Sequence, residues 1–79
     1  MLNFTPREID IINLLIQGKS NKEIGNELFI SFHTVKAILE KIYSKIGINN
    51  RVLAAIFFVK YFKLEGDDFI LKKNKPEYE

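Results

Sequence analysis

The sequence predicts an all-α domain of four short helices followed by a C-terminal tail, and three observations carry that expectation. Apolar residues recur at spacings of three and four from Ile9 onward, helix start signals recur at Thr5, Ser20 and Ser31, and no segment before residue 68 alternates with the period of a strand. At 79 residues the chain makes one domain, large enough for a small core and too small for a cleft between two lobes. We place that domain at residues 1–64 and the tail at residues 65–79.

The first helix begins at Thr5-Pro6-Arg7-Glu8. Threonine supplies an N-cap hydroxyl, proline fits the first helical position, and Glu8 can reach back to the cap amide, with Phe4 and Ile9 at the two staple positions. Ile9, Ile12, Leu15 and Ile16 follow at helical spacing, and Gly18 supplies a stop, so the helix covers about 6–17. Ser20 and Glu23 repeat the box for a helix over about 21–28, with Ile24 and Leu28 one turn apart on its inner face. Ser31 caps the third helix, with Ile30 and Val35 as its staple pair. Its inner stripe is Val35, Ile38, Leu39, Ile42 and Ile46, and Gly47 ends it at about residue 46. Asn49 or Asn50 caps the fourth helix, "RVLAAIFFVKYFKL", which Gly66 is expected to end.

Only "FIS" separates the second and third helices, a connection of helix-turn-helix length that makes the pair cross steeply. A steep crossing needs a small residue at the contact. Gly25 meets that need from a helix interior, where glycine costs about 1 kcal/mol relative to alanine. Counted from Asn21, the apolar positions are the fourth, eighth, tenth, fifteenth and eighteenth, namely Ile24, Leu28, Ile30, Val35 and Ile38, all expected to face inward. A generic helical hairpin shares that spacing, but the glycine, the short turn and the doubled caps favour a helix-turn-helix of the DNA-binding type.

Composition agrees with a small globular domain: 47% of residues are hydrophobic, 28% are charged and there is no cysteine, which excludes disulfides and thiolate metal sites. The net charge of +2 is unevenly spread. Residues 1–64 carry nine basic and five acidic groups, whereas residues 65–79 carry three basic and five acidic, so the domain is mildly basic and suits a polyanionic partner. No apolar run approaches the roughly 20 residues of a membrane span, and "MLNFTPRE" lacks a basic segment followed by an apolar one, so a cytoplasmic chain is expected.

The stretch "FTPREIDIINLLIQGKSNKEIGNELFISFHTVKAILEKIYSKIGINNRVLAAI" resembles the DNA-binding domain of the LuxR (GerE-like) family. Its motifs "LTPRE", "G-x-S-N-K-E-I-A", "S-x-x-T-V-K" and "K-L-G-V-x-N-R" occur there in the same order and at the same spacing. The resemblance covers residues 2 to about 58. It implies a four-helix domain of the winged-helix-like DNA-binding superfamily, a third helix that enters the DNA major groove, a fourth helix that forms a homodimer contact in several members, and a role in transcriptional regulation.

With its apolar stripe inside, the third helix leaves His33, Lys36, Ala37, Glu40, Lys41 and Ser44 pointing outward. Backbone amides at its start and the hydroxyls of Ser31 and Thr34 can hold phosphate oxygens. Lys36 reaches guanine O6 or N7, or a phosphate, and Ala37 is small enough to seat the helix deeply and touch a thymine methyl. Lys41 and Lys45 are expected at the DNA backbone, as are Lys19 and Lys22 around the start of the second helix. His33 has neither a second histidine nor a cysteine to share a metal, and a phosphate or solvent contact suits it better.

Two positions depart from the family pattern. Ile38 stands where histidine, or another group able to bond the DNA backbone, is usual, which adds core and removes one polar contact. Glu40 stands where some members have lysine; its carboxylate repels phosphate yet accepts a hydrogen bond from cytosine N4, while a solvated pairing with Lys36 is the plainer alternative.

The fourth helix is apolar almost all round, with more such surface than a three-helix core can bury. Leu53 and Ile56 fall where relatives carry polar groups. A homodimer through Val52, Leu53, Ile56, Val59 and Lys60 would bury the surplus and set two recognition helices about one DNA turn, ~34 Å, apart. The alternative cover is the tail, through Phe69, Ile70 and Leu71. No nucleophile stands beside a base and no glycine loop can cradle a phosphate, so the chain is not expected to be an enzyme, and no cofactor, metal or small-molecule ligand is expected. The expected partners are double-stranded DNA, a second copy of the chain and RNA polymerase. The competing expectation is a protein-interaction module that keeps the fold without binding DNA.

Overall fold

A computed structural model describes residues 2–64 of the chain, and the expected stop at Gly66 and cover by Phe69–Leu71 lie outside the described residues. Four helices follow one another: α1 Pro6–Ile16, α2 Asn21–Leu28, α3 Phe32–Ile46 and α4 Arg51–Leu64. The described residues form no strand, so the fold is all-α as the periodicity predicts. No described helix is long and apolar enough to cross a membrane.

The capping signals work as local chemistry requires. Thr5 Oγ1 accepts from the Glu8 amide at 3.1 Å while Glu8 Oε1 accepts from the Thr5 amide at 2.9 Å, and Ser20 and Glu23 repeat the exchange at 3.1 and 2.8 Å. At the other end of α1, Gly18 sits at φ +85°. The Gly18 and Lys19 amides donate back to the Leu15 and Leu14 carbonyls at 2.9 and 3.1 Å, satisfying two of the orphan acceptors. The helix therefore stops at Ile16 with Gln17 as its cap, one residue earlier than the sequence suggests. Asn50, not Asn49, caps α4: its Oδ1 accepts from the Leu53 amide at 2.9 Å.

One core joins all four helices, made of Ile11, Ile12, Leu14 and Leu15 of α1, Ile24 of α2, Val35, Leu39 and Ile42 of α3, and Ala54, Phe58 and Phe62 of α4. Full burial of each large side chain contributes roughly 1.5–3 kcal/mol, enough together for a domain this small to oppose its chain entropy. Leu28, Ile30, Ile38 and Ile46, expected inside, are half-buried and pack against this core.

Between α2 and α3 the turn is tighter than a side-chain contact. A Cβ placed on Gly25 would lie 2.6 Å from the Ile30 carbonyl oxygen and 3.4 Å from the Phe32 nitrogen. The obstacle is backbone. Gly25 in turn accepts from the Ile30 amide at 3.0 Å, and Phe29 turns the chain at φ 60°, a left-handed position taken here by a bulky residue. The chain thus re-enters a helix at Ser31, whose Oγ accepts from the Thr34 amide at 3.1 Å.

A polar tie secures α3 to α1. Lys45 Nζ donates to Glu8 Oε1 at 2.6 Å and to the Asn3 carbonyl at 2.9 Å, and lies 5.4 Å from the centre of the Phe4 ring. Glu8 is 5% exposed. Burial alone pushes its carboxyl up, but the hydrogen bond from Lys45, the Thr5 amide and the lysine charge outweigh that and hold it below its ordinary value.

Candidate nucleic-acid interface

The exposed side of α3 assembles as its periodicity requires. Val35, Leu39 and Ile42 are buried, which turns His33, Lys36, Ala37, Glu40, Lys41 and Ser44 to the outside as one stripe. Its N-terminal end is held by the cap, and Ser31 Oγ and Thr34 Oγ1 lie 3.1 Å apart. Two hydroxyls that share one hydrogen bond keep one O–H to donate elsewhere. The free amides of the first turn lie beside them, an arrangement suited to a phosphate oxygen.

Lys36 and Lys41 are exposed on the stripe, and Lys22 is exposed in the first turn of α2. Lys36 and Glu40 stand one turn apart, yet the ion pairs formed among the described residues are Arg7–Asp10 at 3.6 Å and Lys45–Glu8. The solvated Lys36–Glu40 pairing weighed from the sequence is thus absent among the described residues, and both head groups face outward unengaged by one another. The imidazole of His33 leans on the Phe32 ring, with ring centres 4.2 Å apart.

Lys45 is placed differently from the other sequence-derived candidates. It sits at the edge of the stripe, and its ammonium is committed to Glu8 and Asn3, where it neutralises a carboxylate buried at the start of α1. Periodicity along α3 ranks it with Lys41. The partner 37 positions away that draws it aside is invisible to that reading.

A cleft of about 440 Å³ lies past the middle of α3, lined by Glu40, Tyr43, Ser44, Gly47, Ile48 and Asn49. Among the described residues it has no cation on its wall and one carboxylate, a lining unsuited to phosphate. Two residues absent from the sequence-derived set stand out nearer the turn: Phe29, 93% exposed, and Phe32, half-exposed in the first turn of α3. Their positions outside the apolar stripe were a signal available from the sequence.

On α4, Ala54, Phe58 and Phe62 face the core, and Phe58 packs edge-on against Phe4 with ring centres 5.4 Å apart. Phe57 and Tyr61 are half-buried and stack on each other at 5.7 Å. The apolar surplus left outside is Val52, Leu53 and Ile56, at 66%, 55% and 47% exposure, with Lys60 also exposed. Val59 is half-buried and, with Ile16, Ala55, Ile56 and Lys60, lines a shallow depression of about 290 Å³. By helical spacing Val52, Leu53, Ile56, Val59 and Lys60 fall on one side of α4.

Residues 2–58 match the family described as bacterial regulatory proteins, luxR family. The transcriptional regulatory protein LiaR of Bacillus subtilis is 46% identical over 55 residues, which is 70% of this chain and 26% of that protein. An uncharacterized transcriptional regulatory protein of the same organism, YhcZ, is 46% identical over 63 residues, covering 80% of this chain and 29% of its own length. The nitrate/nitrite response regulator protein NarP of Escherichia coli is 41% identical over 56 residues, 71% of this chain and 26% of NarP. The chain therefore spans less than a third of the length of these relatives. The family is one of regulators and not of enzymes. With four helices in the expected order and the match running from Leu2 to Phe58, the chain belongs to the luxR family of bacterial regulatory proteins.

Proposed function

We propose that the chain binds double-stranded DNA sequence-specifically and regulates transcription, with α3 in the major groove, as a homodimer joined through α4. The observation that carries this reading is the outward stripe of α3: a capped helix start, an unengaged Lys36, small Ala37 and Lys41 on one exposed face of a helix seated in the core by Val35, Leu39 and Ile42. A helix in the groove needs such a face, with base-reading groups along it and amides and hydroxyls at its start for the phosphates. The regulatory names of the relatives support the same role. Lys36, Ala37 and Glu40 are the proposed base-facing residues, and Ser31, His33, Thr34, Lys41 and Lys22 the proposed backbone contacts. Lys45 has a structural task and is left out of that set.

Dimerisation is supported by Val52, Leu53 and Ile56, whose exposure in water is unfavourable at roughly 25 cal/mol per Å² of apolar surface. A two-fold contact there would bury the same patch on both copies. Cytoplasmic action on DNA together with RNA polymerase completes the proposal.

Lys36→Ala is the decisive variant. It is expected to weaken duplex binding by about 1–3 kcal/mol, at one base pair if the contact is to a base and evenly over sequences if it is to phosphate. The measurement is fluorescence anisotropy on selected and scrambled duplexes at two salt concentrations. Unchanged binding, with losses from substitutions elsewhere, would move the interface off α3. Glu40 then gives weight to the protein-interaction reading, since it sets a negative charge in the middle of the stripe.

A further inference from the structure

The first turn of α4 is held by polar bonds as well as by packing. Ala54, the fourth residue of α4, is fully buried but small, and its neighbours Val52 and Leu53 stay 66% and 55% exposed, so the first turn sets one methyl group in the core where Phe58 and Phe62 set whole rings further along. Arg51 adds a restraint from the polar side. Its Nη1 donates to Asn21 Oδ1 at 2.8 Å and its Nη2 to the Lys19 carbonyl oxygen at 2.6 Å, so one planar fork bridges two acceptors at the start of α2. Arg51 thereby links the residues that open the apolar α4 face to the residues that open the helix-turn-helix unit.

We propose that Arg51 is a positioning residue that fixes the orientation of the α4 face relative to α2 and α3, and so sets the spacing between the two DNA half-sites that a dimer can occupy. This rests on the reading of α4 as a dimer contact. Any tilt at the start of α4 is doubled by the two-fold axis, because both copies carry it. One added base pair rotates a half-site by about 34–36° and moves it about 3.4 Å, so a rigid linkage accepts one spacing and a loose one accepts several. Lysine keeps the positive charge but is a point donor on a flexible stem and cannot reproduce the fork. Arg51→Lys therefore separates geometry from charge, and Asn21→Ala removes one of the two acceptors from the other side.

The test is in vitro selection from a random-sequence duplex library with the 79-residue chain, Arg51→Lys and Asn21→Ala in parallel, each checked for folding by circular dichroism. The expected result is inverted repeats at a single centre-to-centre spacing for the unmodified chain. Both variants should recover the same half-site spread over at least two neighbouring spacings, with discrimination between spacings reduced about tenfold, or ~1.4 kcal/mol. The double variant should broaden the distribution no further than either single one, because both break one linkage. If the variants keep the single spacing, Arg51 does not position the face and the proposal is overturned while the dimer stands. Variants that fold but recover a different half-site, or none, also overturn it, since Arg51 would then act on recognition itself. Isolated half-sites from the unmodified chain overturn the dimer reading, and the proposal with it.

Discussion

Replacing Gly25 by alanine sets two opposing effects against each other. Alanine is favoured over glycine in a helix interior by about 1 kcal/mol, so on propensity alone the variant gains stability. Against that, the new methyl would sit 2.6 Å from the Ile30 carbonyl oxygen, and reaching even 3.4 Å requires a displacement of about 0.8 Å. That oxygen belongs to a turn pinned on one side by the Ile30 amide donating to Gly25 and on the other by the Ser31 cap. Overpacking by one methyl costs about 1–3 kcal/mol, and straining the pinned hydrogen bond adds about 1 kcal/mol. Sterics therefore outweigh propensity, with a net loss of about 1–3 kcal/mol. For a domain of this size each kcal/mol lowers Tm by about 4–8 °C, a change easily read by thermal unfolding followed at the helical circular dichroism signal. Gly18→Ala is the comparison: no atom stands within 4 Å of its added Cβ, so its cost comes from the left-handed backbone at φ +85° and leaves the α2–α3 crossing alone. A Gly25→Ala chain as stable as the unmodified one, or more so, would refute the account of the crossing.

Glu40→Lys is expected to raise non-specific DNA affinity and to steepen the log–log salt dependence by about 0.9 for one added phosphate contact on B-DNA; an unchanged slope places Glu40 away from the backbone. Leu53→Glu with Ile56→Glu should give a folded monomer in analytical ultracentrifugation with weak affinity for paired half-sites, and an unmodified chain that is already monomeric at high micromolar concentration contradicts the dimer. Glu8→Gln should cost about 1–3 kcal/mol at neutral pH, less than a fully buried ion pair because Lys45 stays 35% exposed and can be solvated. The pH dependence has a definite sign: the folded-state carboxyl titrates below its ordinary value of 4.5, so its contribution is complete above that pH and is lost as pH falls through the folded value. Urea unfolding between neutral and acid pH should show that loss in the unmodified chain and a smaller one in Glu8→Gln.

Local chemistry was legible in the sequence wherever neighbours along the chain decide the outcome. Thr5 with Glu8, Ser20 with Glu23, and Ser31 with Thr34 are pairs three residues apart, so the starts of three helices follow from the order of residues alone. The stripe of α3 follows likewise, because a helix period sorts Val35, Leu39 and Ile42 from Lys36, Ala37 and Glu40 before any partner helix is placed. What only the tertiary structure decided concerns residues distant in sequence. Lys45 looked like one more exposed lysine until α1 brought a buried carboxylate to it, and the electrostatic cost of leaving Glu8 unpaired then determined where its ammonium goes. Gly25 was readable as a crossing point, but not that the turn backbone of Ile30 fills the space beside it. The same holds for α4. Its sequence shows too many apolar residues for one face, whereas the burial of Phe58 and Phe62 and the exposure of Val52, Leu53 and Ile56 depend on which side α1 covers, a matter of packing between helices that no local period encodes.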